Sequence, residues 1–183
     1  MHELSRWERL LVMYGSSHRH PVNVIIHLLF VPIIIGSIFL ALMSVAIPLG
    51  ATKLPLAYVF AAITFLYYLS LDVRSALALV PIAGGLLLLA RWASATLPSP
   101  WVWGIAAAGF FGGYIAQFIG HAVEGRKPAL VDHPVRGVLA APLFMGVEVS
   151  RMLGLRRALF DKVHAAILRQ DRVAATAGAK SEA

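Results

Sequence analysis

Of the 183 residues, 59% are hydrophobic, 14% are charged and none is cysteine, against roughly 25% charged residues in ordinary soluble domains. Between Val24 and Val123 the formal charges are Lys53, Asp72, Arg74 and Arg91 alone, too few for a soluble fold of this size, which leaves about a third of its chain surface wet. The sequence therefore predicts an integral membrane protein. The absence of cysteine excludes a disulfide framework, a thiolate metal site and a cysteine nucleophile. The net charge of +7 lies beside apolar spans, which points to anionic lipid headgroups rather than to nucleic acid.

In chain order, Leu4, Trp7, Leu11 and Tyr14 recur at three- and four-residue steps, the pattern of an amphipathic interfacial helix. Residues 16–20 read as a turn, with Pro21 at the first position of the next helix. Four apolar stretches, about 24–49, 54–71, 75–92 and 101–120, approach the ~20 residues that a membrane-crossing helix needs. Pro48, Gly50 and Pro55 break the first connection, Asp72-Val-Arg74 the second, and Pro98-Ser-Pro100 the third. Trp92, Trp101 and Trp103 gather at that third connection, as in an interfacial aromatic belt. The run 138–147 is too short to span and contains Pro142, so it reads as an interfacial or re-entrant segment. Leu155, Leu159, Val163 and Ile167 form a second apolar stripe, flanked by Arg156, Arg157, Lys162 and Arg169. Residues 174–183, small and polar, read as a disordered tail.

The predicted architecture is all-α: one membrane-embedded domain over residues 1–173, a bundle of four transmembrane helices with interfacial amphipathic helices at both ends. Four crossings put both termini on one side, together with Arg6, Arg9, Arg19, Arg74 and every Lys or Arg from Arg126 onward, and leave Lys53 and Arg91 opposite. By the positive-inside rule that side is cytoplasmic. A bacterial inner membrane is the expected setting, or the endoplasmic reticulum in a eukaryote.

The histidines fall on this topology in a pattern. His18 and His20 precede the first span, His27 lies one or two turns inside it, His121 closes the fourth, and His133 follows twelve residues later. All stand on the predicted cytoplasmic side, whereas His2 and His164 read as ordinary surface residues. Asn23 shares a face with His27, and Gln117, His121 and Glu124 share another. Gly109, Gly113, Ala116 and Gly120 offer a small-residue surface for close helix approach. Imidazoles at one depth suit iron, zinc, copper or nickel, and histidines with a carboxylate and open positions suit non-haem Fe(II) chemistry with oxygen. The alternative is a set of helix-capping histidines in a scaffold.

Two motifs narrow this choice. The stretch Tyr14-Gly-Ser-Ser-His18-Arg-His-Pro21-Val-Asn23-Val-Ile-Ile-His27, with Val31-Pro32 after it, is one. The other is Gln117-Phe-Ile-Gly120-His121, followed by Glu124, Pro128-Ala129-Leu130 and Ala141-Pro142 with Glu148. Together, over about residues 14–150, they resemble the 2-hydroxy fatty acid dioxygenases, small multi-span membrane proteins.

The resemblance implies Fe(2+) as cofactor and α-oxidation as the activity. A long-chain 2-hydroxy fatty acid and O2 would give the acid one carbon shorter plus CO2, in degradation of the phytosphingosine skeleton. It implies His18, His27 and His121 as the iron-binding and catalytic residues. Glu124 follows His121 by three residues where the family's fungal form has four, and His133 follows Asp132. Both stand as further candidate ligands beside the implied set. Asn23 and Gln117 would support the site, and Arg19, Arg126 and Lys127 would steer the substrate carboxylate. Competing readings are another metal-dependent lipid-modifying enzyme such as a hydroxylase, or a non-catalytic scaffold or transporter. The almost wholly apolar centres of the first three spans weigh against transport.

Overall fold

A capping box opens the chain. In a computed structural model, which describes residues 4–181, the Ser5 hydroxyl accepts from the Glu8 N–H while the Glu8 carboxylate accepts from the Ser5 N–H at 2.7 Å. The pair satisfies two otherwise orphaned donors and starts α1, Arg6–Gly15. His2 and residues 182–183 lie outside the described residues.

Helix α2, Pro21–Met43, begins on proline as expected but stops short of residue 49. Pro48 cannot donate the helical hydrogen bond to Ser44, and the chain instead forms β1, Ala46–Leu49, antiparallel to β2, Thr52–Pro55. Gly50, at φ 62°, supplies the left-handed backbone of the tight turn. Helix α3, Leu56–Leu71, and α4, Val73–Thr96, meet at Asp72, whose carboxylate caps α4 by accepting from the Ser75 N–H at 2.9 Å. Helix α5, Ser99–Glu124, ends on Gly125 in the left-handed region, a common C-terminal stop. The short α6, Ala129–Asp132, leads to α7, Pro134–Met152, and then α8, Arg157–Ser181.

Three helices, α2, α4 and α5, have 23, 24 and 26 residues and are apolar enough to cross a membrane. Helix α3 is equally apolar but has 16 residues, about 24 Å of helix against a ~30 Å hydrocarbon core. By length, then, the expected four spans are three plus a shorter apolar helix. The outward faces of these helices carry residues such as Leu66, Leu88 and Phe111, each more than 60% exposed, a surface suited to lipid.

Two apolar clusters hold the bundle. One gathers Phe39, Leu40 and Met43 of α2 with Ala57 of α3, Ala90 of α4 and Val102 of α5. The other joins Trp7, Leu11 and Tyr14 of α1 to Tyr68, Leu79, Leu143 and Ile167. Helix α2 lies close along α5 because glycine faces it. A Cβ on Gly109 would strike Ser37, one on Gly113 would strike Ile34, and one on Gly120 would strike Asn23. This is the small-residue packing the spacing predicted.

Three regions read from the sequence take a definite form in the structure. Helices α1 and α8 are amphipathic; Trp7, Leu11, Tyr14, Val163 and Ile167 are buried in the protein's own core, Leu4 and Leu159 pack partly buried against it, and Leu155 is exposed. The run 138–147 is the middle of α7, a helix that continues through Pro142 and buries Ala140, Leu143 and Phe144 against α1, α2 and α4. Helix α8 also carries regular structure through residues 174–181, where composition suggested a tail.

Ion pairs fasten α8 across the chain. Lys162 Nζ reaches Glu8 at 2.7 Å, and Arg19 grips Asp171 with two hydrogen bonds of 2.6 and 3.0 Å. At the start of α8, Arg156 bonds Asp72 at 2.8 Å and lies over the Trp7 ring. Burial raises the Glu8 carboxyl, but hydrogen bonds from Lys162 and Ser5 outweigh it and hold the group below its ordinary value. A depressed carboxyl contributes stability that is complete above its unfolded value and is lost as pH falls through the folded one. Lowering the pH from 7 to below about 4 is expected to remove about 1 kcal/mol or less from this partly exposed pair. Glu8→Gln should shrink that pH-dependent drop in melting temperature; an identical drop in the variant would show that the pair contributes nothing.

Candidate metal centre

The site starts where α1 ends. The His18 N–H donates to the Gly15 carbonyl, turning the chain so that the His18 ring stacks on Tyr14, centroids 3.9 Å apart and nearly parallel. His18 Nδ1 lies 2.6 Å from the Tyr14 carbonyl, and His27 Nδ1 lies 2.9 Å from the Asn23 carbonyl one turn earlier on α2. A carbonyl can only accept, so each Nδ1 carries the proton and leaves an Nε2 lone pair free. His121, near the end of α5, completes the group. Ring centroids are 4.3 Å apart for His18–His27, 4.7 Å for His18–His121 and 5.1 Å for His27–His121.

One ring nitrogen from each histidine lies within 4.8 Å of the others, and all three residues are about 5% exposed or less. His18 Nε2 and His121 Nδ1 are buried without a hydrogen-bond partner. Leaving such atoms unpaired ordinarily costs about 1–3 kcal/mol each, and a metal ion is the partner that convergent imidazole lone pairs best satisfy. Burial lowers the His18 pKa, and the adjacent His27 lowers it further, so the ring is neutral and able to ligate at physiological pH. The donor set fits a borderline transition metal, iron among several.

The other sequence candidates fall around this group. Glu124 lies outside the metal-competent set: one carboxylate oxygen accepts from Asn23 Nδ2 at 2.6 Å and the other from the Arg19 N–H at 2.7 Å. Asn23, fully buried, also donates to the Ser17 carbonyl at 3.2 Å. Glu124 and Asn23 thus tie α5, α2 and the 16–20 turn together, and each of these carries one of the histidines. Gln117 lines a cavity beside His121. Arg19 points to Asp171, and Arg126 donates to the Ser16 carbonyl at 3.0 Å. Lys127 is exposed, and so is His133 at the cap of α7, apart from the three-histidine group.

Two aromatic residues at the site had no role assigned from sequence. Tyr14 stacks on His18, and Phe144 of α7 packs on both, at 5.0 Å from Tyr14 and 5.4 Å from His18. Tyr14 stands four residues before His18, a helical step that could have marked it; Phe144 carried no such signal. From the histidines an apolar cavity of about 580 Å³ extends along α2 between α3, α4 and α5, within the ~300–1,000 Å³ usual for small-molecule sites.

Comparison with known proteins accords with this geometry. The family model described as "2-hydroxy-palmitic acid dioxygenase Mpo1-like" matches residues 4–153. The 2-hydroxy-palmitic acid dioxygenase MPO1 of Saccharomyces cerevisiae is 34% identical over 145 residues, 79% of each chain. No solved structure matches the chain significantly. The matched region contains all three clustered histidines, and the chain belongs to the Mpo1-like family.

Proposed function

We propose that this protein is an Fe(II)-dependent dioxygenase that shortens long-chain 2-hydroxy fatty acids by one carbon within the membrane. The observation that carries the reading is three buried imidazoles, two with unpaired ring nitrogens, at the head of an apolar cavity. His18, His27 and His121 would hold the iron, which when bound supplies oxygen activation and an anchor for the substrate's carboxylate and 2-hydroxyl.

The chain's own residues do the rest. Hydrogen bonds to the Tyr14 and Asn23 carbonyls orient the His18 and His27 rings. The Glu124–Asn23 contact holds the three supporting elements in register, and Gln117 offers an amide to the substrate headgroup. The cavity walls receive the acyl chain and exclude water. The reaction balances as 2-hydroxy acid plus O2 giving the shortened acid, CO2 and water. All four electrons come from the substrate, so no further reductant takes part.

The test is turnover by untagged protein in lipid nanodiscs. With 2-hydroxypalmitate the expected result is oxygen-dependent formation of the fifteen-carbon acid, with one CO2 released per O2 consumed. Absence of any shortened product across 2-hydroxy acids of several lengths would overturn the reading.

For the topology, we propose α3 as the fourth crossing, since Ala57 belongs to one apolar cluster and Tyr68 to the other. Both termini then face the cytoplasm, with the metal centre at that side of the bilayer. A reporter fused after Ala183 should read cytoplasmic; a signal from the opposite side contradicts four crossings.

A further inference from the structure

Resting on that reading, the geometry points to a chain-length gauge: the Phe39–Phe60 pair forms the floor of the cavity and sets how long an acyl chain the site accepts. With the headgroup held at the histidines, the tail must run down the cavity. His27, Val31, Ile34, Ile38 and Phe39 line it along one face of α2. From His27 to Phe39 is twelve residues, or about 18 Å of helix. A saturated chain built of ~1.5 Å C–C bonds in a zigzag advances about 1.25 Å per carbon, so about 14 carbons fit that depth.

The neighbouring helices keep the same direction. Tyr68 and Leu79 belong to the cluster near the histidines, whereas Phe39 belongs to the far one, against which Leu87 packs. At the far end Phe39 is 3% exposed, and its ring meets Phe60 edge to face at a centroid distance of 6.3 Å. Edge-to-face rings at such a separation attract each other, which favours the two staying together across the path of the chain. Above this floor the α4 wall is lined by Ala83, four residues closer to the histidine end than Leu87, or about 6 Å along the helix. That depth corresponds to about five carbons.

The experiment compares chain-length profiles of Phe60→Ala, Ala83→Leu and the unaltered protein with 2-hydroxy acids of 8 to 22 carbons. Competition against a fluorescent fatty acid is read in parallel with turnover. The unaltered profile is expected to fall beyond about 16 carbons, counting two for the headgroup. Ala83→Leu should move the optimum shorter by about five carbons, and Phe60→Ala should extend it by two or more. Phe60 is 41% exposed, so its truncation leaves the packed core in place and preserves the test should the larger Ala83 substitution misfold. If turnover occurs but Phe60→Ala leaves the profile unmoved, the gauge is wrong and the dioxygenase reading stands. If no 2-hydroxy acid is turned over yet the competition profile shifts as stated, the gauge stands and the reaction assignment falls.

Discussion

For the proposed iron centre, replacing any one of His18, His27 or His121 with alanine is expected to lower turnover by roughly three orders of magnitude and to abolish Fe(II) binding. Each imidazole supplies one donor to a group in which no carboxylate takes part among the described residues, so the two that remain hold the ion weakly. The effect should be separable from misfolding. Removing the His18 or His121 ring, each with an unpaired buried nitrogen, relieves an unsatisfied polar atom, which offsets part of the packing lost. Metal-free variants should therefore melt near the metal-free parent. Adding Fe(II) should raise the melting temperature of the parent by the linkage RT ln(1 + [L]/Kd) and leave the variants unmoved. His164→Ala, at an exposed position of α8, serves as the control and should retain iron and turnover. Stoichiometric iron in all three alanine variants would remove the metal centre from consideration.

Glu124→Ala should weaken metal binding by about 10–100-fold, the usual cost of losing an orienting group behind the ligands. The carboxylate accepts from Asn23 and from the Arg19 backbone, and Asn23 in turn supplies the carbonyl that fixes the His27 ring. Without Glu124 the fully buried Asn23 amide keeps the Ser17 carbonyl as its acceptor, and the turn bearing His18 keeps only the Arg126 bond to Ser16 at the end of α5. Glu124→Gln should fall between parent and alanine, because an amide oxygen replaces one acceptor while the NH2 opposes a donor at the other. Titration with Fe(II) under anaerobic conditions distinguishes the roles. A loss as large as that of a histidine variant would make Glu124 a ligand, and an unchanged affinity would make the brace irrelevant.

Much of the site was legible in the chain. The expected turn over residues 16–20, ahead of Pro21, left His18 free to fold back towards His27, and in the structure the two rings meet edge to face. The Gln117-to-Glu124 face placed His121 correctly because a helix keeps residues three and four apart on one side. Glu124 was harder to read, since a carboxylate one turn from a histidine is equally suited to ligation or to bracing. Its partners Asn23 and Arg19 lie about a hundred residues away. His133 was close in sequence but is turned outward at the start of α7, a direction set by packing rather than by spacing.

The sequence by itself pointed to the membrane class, to most of the breaks between helices and to a wider set of candidate metal ligands that includes the three clustered histidines. These follow from local quantities: charge density, proline and glycine positions, and imidazole chemistry. Only the tertiary structure decided where the apolar stripes of α1 and α8 go, that 138–147 belongs to a longer helix with one buried face, which groups Glu124 bonds, and which residues line the cavity. For Glu124 the reason is that its partners are distant in the chain; for the apolar faces it is a different one. Hydropathy reports that a face avoids water, but lipid and protein interior satisfy it equally, and only the three-dimensional packing says which of them does.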